Sequence, residues 1–379
     1  MPDISPAPAA TVRAAPAAAR QPAPRHPRRS LLGVLLPVSI GQLIVWQVAA
    51  LAVLAGWQSY DARIALLAAG GLAIAGTSIR VHGQCGYQWA VIAVVHRRRA
   101  RRTASTPAPD RVLAVVPTLR TRSQVDRAGN RVGVACVDDS YGVVFRIDLR
   151  PGGGDLAGLA RLLRTCCEST DVPLAAAQIV VATPDPTGGQ TWQRVCWVAL
   201  RYRSALAPKA ALARGGGDTG AVRATVSAAV LVAQRLAAAG YAYALLDVAA
   251  LHDHLLLALG AQPPNRNAAG SGAALVAETW RDWSAGPLLQ SCYRPAYGVG
   301  DAACLAALER VQAGDLFTCA AYTLARGRRG ALRGTLLVRA GTPEQRPARG
   351  AAAAALGIPL DPLDGRHAPS VPATLPLAL

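Results

Sequence analysis

Lysine is nearly absent from this chain of 379 residues: Lys209 is the only one, although lysine and arginine together number 40. Alanine, glycine and proline are abundant as well, a bias expected of a very GC-rich genome, so the arginine content is partly a codon effect. Acidic residues number only 22, which leaves a formal charge of +18. A surplus of that size suggests nucleic acid when it clusters on a soluble protein. Here much of it flanks apolar runs and no recognition motif accompanies it, so no nucleic-acid partner is expected.

CxxC pairs are missing among the eight cysteines, Cys85, Cys136, Cys166, Cys167, Cys196, Cys292, Cys304 and Cys319. That excludes a zinc ribbon and a thioredoxin-like motif. Cys136, Cys196 and Cys319 lie in apolar, strand-like runs and read as small buried hydrophobes in a reducing compartment. The adjacent Cys166 and Cys167 read the same way, because thiol reactivity needs a specific environment. His252 and His254 are two apart, so on a helix they face different ways and cannot share a metal. A nucleophile elbow and any Ser/His/Asp spacing are lacking too. No catalytic residue, metal site or cofactor follows from the sequence, and an enzyme is not expected.

What the chain does contain is two charge-free apolar runs near the N-terminus, Leu31 to Gly56 and Ile64 to Ile79. Crossing a hydrocarbon core of about 30 Å takes roughly 20 helical residues at about 1.5 Å each. The first run is long enough. The second is shorter and lies between Arg63 and Arg80, which must snorkel toward headgroups. Trp57 and Tyr60 in the intervening loop suit a membrane interface. The pair reads as a transmembrane hairpin with spans at about 31–56 and 63–81. Ala65, Ala69 and Ala73 recur every fourth residue with Gly76 nearby, a smooth ridge for helix packing. Arg80, Arg97, Arg98, Arg99, Arg101 and Arg102 follow the hairpin, and Arg13, Arg20, Arg25, Arg28 and Arg29 precede it. Basic flanks stay in the cytoplasm and meet anionic lipid. Both termini are therefore expected inside.

Composition divides the chain into a disordered basic tail (1–30), the hairpin with a juxtamembrane helix continuing it (31–96), an arginine-rich linker (97–110), a cytoplasmic domain (111–340) and a disordered Pro/Ala-rich tail (341–379). Within the domain, Val143, Phe145, Ile147 and Leu149 alternate with Arg146 and Asp148, a half-buried strand. Its partner is Arg131 to Val137, with a turn through Asp138, Asp139, Ser140 and Tyr141. Further strands fall at 178–182, 194–203 and 243–246, with a hairpin of 316–324 and 332–338. Helices fall at 155–167, 220–239, from the N-cap Asp247 to about Leu259, and at 301–313. Strands and helices alternate without a visible repeat. The fold class is mixed α/β, a mixed sheet flanked by helices.

Two motifs carry alternative readings. Arg214, Gly215, Gly216 and Gly217, with Asp218, Thr219 and Gly220, stand between a strand and a helix, where free N–H groups can cradle phosphate. The Lys-Ser/Thr pair of a P-loop is replaced by Ala221, Val222 and Arg223, and a structural turn is the reading preferred. Asp138 and Asp139 could hold a divalent metal with a sugar nucleotide, which gives a membrane-anchored nucleotide-sugar transferase as the alternative function. Acidic residues between two strands are more often turn formers.

The basic tail, two-helix hairpin, arginine-rich exit and following domain form a recognisable order. That domain carries Trp197 to Arg201 (WVALR), then Leu206 to Ala210, then Ala213 to Gly217 (ARGGG) and a Leu/Ala-rich helix. Over roughly residues 30 to 340 the chain resembles EccE, the E component of the type VII secretion system of actinobacteria with waxy envelopes. The resemblance implies a structural, non-catalytic subunit of a multi-pass inner-membrane export complex. Its implied partners are an FtsK/SpoIIIE-like ATPase, a multispanning D component and a B component, with Arg214 to Gly217 a structural turn.

Overall fold

The computed structural model describes residues 40–55, 60–78, 80–81, 84–103, 110–126, 128–149, 155–168, 172–183, 194–261, 276–285, 288–311, 317–327, 330–342 and 349–379. The basic tail, Leu31 to Ser39 of the first apolar run, Trp57 to Ser59, most of the linker, and the turns at 152–154 and 184–189 lie outside these, as does the loop after Ala261. The chain divides into two compact units, Met1–Ala75 and Gly76–Leu379.

In the first unit, α1 (Ile40–Ala55) and α2 (Tyr60–Ser78) contain no basic residue in their last turns, and α2 carries Asp61 in its first turn. They approach at Gly70, where a Cβ would sit 3.6 Å from that of Ala49 and 3.9 Å from Val53. Among the described residues much of their surface is apolar and uncovered: Leu51, Leu54 and Leu72 are 64, 67 and 76% exposed.

The second helix is not continued into the juxtamembrane helix. A small hairpin intervenes, β1 (Arg80–Val81) against β2 (Gln84–Cys85), and α3 (Gly86–Thr103) starts afresh. Gly86 is required there, because a Cβ would run into the Gly76 carbonyl. The arginines from Arg97 to Arg102 belong to α3 rather than to an irregular linker. The sequence reading missed this because an arginine run carries no apolar periodicity, although arginine is a good helix former.

After α4 (Arg111–Val115) come β3 (Arg120–Val125), β4 (Arg131–Val137), β5 (Ser140–Asp148), α5 (Leu156–Glu168), β6 (Ala176–Thr183), β7 (Val195–Arg203), α6 (Pro208–Leu212), α7 (Gly217–Ala238), β8 (Ala242–Leu245) and α8 (Val248–Ala258). The chain then runs through β9 (Val276–Glu278), β10 (Trp283–Ala285), β11 (Leu289–Pro295), α9 (Asp301–Glu309), β12 (Phe317–Arg326), β13 (Leu332–Thr342), α10 (Arg349–Leu356), β14 (Leu360–Pro362) and α11 (His367–Ser370), and closes with a 3-10 turn at Pro372–Thr374. Asp247 caps α8 as its sequence position suggests, accepting from the Ala250 N–H.

The strands form one twelve-stranded antiparallel sheet in the order β3-β4-β5-β7-β6-β12-β13-β11-β10-β9, with β8 on β5 and β14 on β11. Read from each outer edge inward, the two halves have the same order. The helices follow suit: α5 and α9 each precede the innermost strand of their half, β6 or β12, and α7 and α10 each precede the strand that returns to β5 or β11. The domain is thus two copies of one ββαββ-centred unit, joined where Ile179 faces Tyr322 and Val180 faces Ala321. No sequence repeat betrays this, since equivalent elements differ in length, α7 having 22 residues and α10 only 8.

Alternation along the strands sends side chains to two cores. Val143, Phe145, Ile147, Ile179, Val198 and Tyr322 pack under α5, α7, α9 and α10. Val144, Val180, Trp197 and Ala321 pack on the opposite face under α4 and α8. Arg146 and Asp148 pair at 3.3 Å outside the core, as the strand pattern implied. Among the described residues one helix, α7, is long and apolar enough to cross a membrane. Its Ala221, Ala224, Ala229, Val232 and Leu236 are buried in the domain core, which accounts for that apolarity.

The expected mobile C-terminal tail is the largest correction. Residues 343–348 lie outside the described set, but from Arg349 onward the chain is folded, and Val371, Leu375, Leu377 and Ala378 are buried in the second core. Fully buried Gln178 grips this segment at both ends, donating to the Ala373 carbonyl at 2.7 Å and accepting from the Ala378 N–H at 2.9 Å. The Cys319 thiol donates to the Thr374 carbonyl at 3.4 Å. Overall Pro/Ala content concealed Val371, Leu375 and Leu377, which pack on the sheet face that α4 and α8 also cover.

Candidate membrane-proximal site

Four residues on one face of α3, Trp89, Ile92, His96 and Arg99, follow helical spacing and meet the β9–β10 hairpin and the C-terminal segment. Trp89 and Trp280 have ring centroids 5.9 Å apart, and His96 meets Trp280 edge-on at 5.5 Å. Glu278, whose side chain is only 4% exposed, accepts from Arg99 Nε at 2.8 Å and from Arg99 Nη2 at 3.1 Å. His96 Nδ1 lies 3.6 Å from the same carboxylate. The Ala368 N–H also donates to Glu278, at 2.9 Å, and Arg99 Nη2 donates to the Gly365 carbonyl at 2.8 Å. Gly365 has a φ of +68° and is wedged between Trp280 and Ile92, where a Cβ would come within 2.6 Å of the indole and 2.9 Å of Ile92. One carboxylate thereby ties together the basic helix, the hairpin and the last segment of the chain.

The opposite face of α3 is open. Val91, Val94 and Val95 are 58, 49 and 48% exposed, and Arg97, Arg98 and Arg101 continue the exposed surface with positive charge. Arg99 is thus separated from its neighbours: it serves the domain while the others face outward. Arg102 and Arg80 are described by backbone alone, in α3 and β1. Along α2, Ala65, Ala69 and Gly76 are exposed, and the approach to α1 is made by Gly70 on a different face. Ala73 is described only as helix backbone.

At the glycine-rich motif, Gly215, Gly216 and Gly217 have φ of +105°, +68° and +53°. The Gly216 N–H donates to the Ala211 carbonyl at 2.9 Å and the Gly215 N–H to Leu212 at 3.2 Å, which reverses the chain between α6 and α7. Gly220 is also needed, since a Cβ there would collide with the Ala211 carbonyl. The Arg214 guanidinium bonds the Ala210 carbonyl and Ser227. Asp218, in the first turn of α7, accepts from the Tyr141 hydroxyl at 2.7 Å and from Arg122 at 3.0 Å. An anionic side chain therefore already occupies the positive end of the helix. The Tyr141 hydroxyl holds the Asp218 carboxyl below its ordinary pKa. Burial first, then Asp218, push Tyr141 up to about 12.

Asp138 takes the left-handed conformation in the β4–β5 turn, with φ of +52°, and Asp139 is held by Arg203 at 3.2 Å. Among the described residues no group of three or more His, Cys, Asp or Glu gathers to hold a metal. His252 lies 3.8 Å from Asp110, while His254 meets Trp197 edge-on, so the two imidazoles have different surroundings. All eight cysteines are free and buried. Burial pushes Cys167 up to about 12, with a smaller push from Cys166, and this opposes the thiolate that a redox pair would require.

Sequence reasoning found the arginines but missed Glu278, Trp280 and Gly365, which organise them. The available signal was an acidic residue two positions before a tryptophan in an otherwise acid-poor chain. Residues 190–295 match the family model described as "Putative type VII ESX secretion system translocon, EccE". The match runs from just before β7 to Pro295 at the end of β11, and takes in WVALR, the glycine turn, α7, Glu278 and Trp280. No curated protein matches the chain.

Proposed function

We propose that this chain is a membrane-anchored structural subunit of a type VII secretion complex, supporting assembly or stability of the export machinery. The family match over residues 190–295 carries the reading. The apolar exposure of α1 and α2 supports an anchor, because side chains such as Leu51, Leu54 and Leu72 gain nothing from water. In this reading the two helices form a hairpin in the inner membrane, with both chain ends cytoplasmic. Arg80, Arg97, Arg98, Arg101 and Arg102 meet anionic headgroups at about 1 kcal/mol each. The exposed ridge of Ala65, Ala69 and Gly76, extended by Ala73, is then free to pack on a partner helix.

Transport energy comes from an FtsK/SpoIIIE-like ATPase partner, and a multispanning D component and a B component complete the assembly. Glu278 links the basic helix to the folded domain, so a force on the anchor reaches the sheet through α3. The test is a mild-detergent pull-down of tagged chain from native membranes with mass spectrometry of what copurifies. Recovery of the ATPase and the multispanning component is expected; a chain recovered alone overturns the assignment.

A further inference from the structure

Beside the N-terminal half of α3 lies a cleft of about 470 Å³, lined by Gln84, Tyr87, Gln88, Val91, Ile92, Arg294 and Arg366. Its polar groups are unbalanced. Arg366 presents buried Nε and Nη2 atoms without hydrogen-bond partners. Among the described residues neither Arg294 nor Arg366 makes an ion pair; Asp361, opposite Arg294 on the β11–β14 ladder, and Asp364 are engaged elsewhere. Burial, and next the like charge of Arg294, push the Arg366 guanidinium down from its ordinary value. Two neighbouring cations without a direct ion pair suit an anion, and planar guanidinium groups suit phosphate.

A second observation is independent of charge. Gln84 is only 6% exposed, and its Oε1 accepts from nothing. The other amide of the cleft is committed, Gln88 Oε1 to the Cys85 N–H at 3.0 Å and Gln88 Nε2 to the Tyr87 hydroxyl at 3.3 Å. A buried acceptor left open is costly, and a ligand hydroxyl would satisfy it. The third observation is the cleft's edge, where Val91 is 58% exposed and continues into exposed Val94 and Val95.

We infer that this cleft binds the headgroup of an anionic phospholipid carrying hydroxyls, with phosphate on Arg294 and Arg366, a headgroup hydroxyl on Gln84 Oε1, and the glycerol and acyl portion leaving over Val91. The volume fits a headgroup rather than a whole diacyl lipid. Phosphatidylinositol and phosphatidylglycerol have the required chemistry. The ammonium of phosphatidylethanolamine would face two guanidinium groups. A lipid, rather than a soluble ester, is favoured by the valine surface and by Gln84 following α2 closely in the chain. That step rests on the membrane reading above. The site is separate from the outward arginines of α3: it uses none of them, and it employs the C-terminal segment that Glu278 anchors.

The experiment uses the full chain in detergent, titrated by calorimetry with dihexanoyl phosphatidylinositol, dihexanoyl phosphatidylglycerol, dihexanoyl phosphatidylethanolamine and inositol phosphate. The two anionic lipids should bind and the ethanolamine lipid should not. The double variant Arg294→Gln/Arg366→Gln should weaken binding by about tenfold or more, equivalent to about 1.4 kcal/mol. Arg98→Gln/Arg101→Gln, on the open face of α3, should leave the affinity nearly unchanged. Arg366→Lys keeps the charge and loses the fork, so its intermediate weakening gives a readout if the double variant unfolds. Equal affinity for inositol phosphate would reassign the cleft to a soluble phosphate ester and overturn the lipid. Equal loss from both double variants would mean bulk charge attraction and overturn the site. Because only the isolated chain is used, failure here leaves the pull-down result standing, and the converse also holds.

Discussion

Arg99 grips Glu278 with two nitrogens, Nε to Oε2 at 2.8 Å and Nη2 to Oε1 at 3.1 Å, across 179 positions of sequence. The carboxylate is nearly buried while the guanidinium is about one-quarter exposed. Removing one partner of such a pair leaves the other desolvated without compensation, which costs more than the pair itself is worth. Arg99→Ala should therefore destabilise the chain by about 2–3 kcal/mol, near the low end for broken buried pairs because of the partial exposure. Hydrogen exchange in α3 should rise before that in β7. Uniform protection in both elements would show that Trp89 and His96 suffice to hold the helix.

Gln178 and Leu375 give a second prediction. Leu375→Ala removes a fully buried side chain, and core truncations of this kind cost about 2–5 kcal/mol. Gln178→Ala should cost about 2 kcal/mol by stranding the Ala373 carbonyl and the Ala378 N–H. Thermal unfolding of the full chain in detergent measures both. Melting temperatures unchanged in both variants would mean that the C-terminal segment does not contribute to the core.

These contacts mark where the sequence stops being legible. Strands such as 131–137 and 140–148 could be read because alternation of Val143, Phe145 and Ile147 with Arg146 and Asp148 is a local pattern. α7 and the Asp247 cap were equally local. The twofold order of the sheet was not, because it resides in which strands pair and not in residue identity. The same holds for the C-terminal segment: Leu375 and Leu377 are too few to lift a Pro/Ala-rich average, and only packing on the sheet face shared with α4 and α8 makes them core residues. At the α3 site the arginines were visible as a run. What separates Arg99 from Arg98 is Glu278, far along the chain and outside any window.

The glycine turn separates conformation from chemistry. Gly216→Ala places a Cβ at a φ of +68° and ψ of 175°, a region essentially reserved for glycine, with the Leu212 side chain at ordinary contact distance, so the cost is backbone strain of about 1–3 kcal/mol. Gly216→Asn should not recover that loss, since Asn tolerates the left-handed α region but not a ψ near 180°. Gly220→Ala should cost more, because its Cβ meets the Ala211 carbonyl instead of space. Differential scanning calorimetry of the three variants gives the order. If Gly216→Ala instead left stability intact and abolished binding of an added nucleotide, the turn would be a phosphate cradle.

Protonation at Asp218 supplies the last prediction. The Tyr141 hydroxyl bond lowers the carboxyl below its ordinary value of 3.8, so its contribution is complete above that value and disappears as pH falls through the lower folded one. Tyr141 behaves oppositely: raised to about 12, it contributes fully below the ordinary tyrosine value of about 10 and loses that contribution as pH climbs toward 12. The difference in melting temperature between the parent chain and Asp218→Asn should then be constant from about pH 5 to 9 and shrink below about pH 4. Since Asp218 is largely exposed, salt should weaken the Arg122 share of that difference and leave the Tyr141 hydrogen bond. A difference that persisted unchanged at pH 3 would locate the effect in the geometry of the α7 N-terminus rather than in the charge of Asp218.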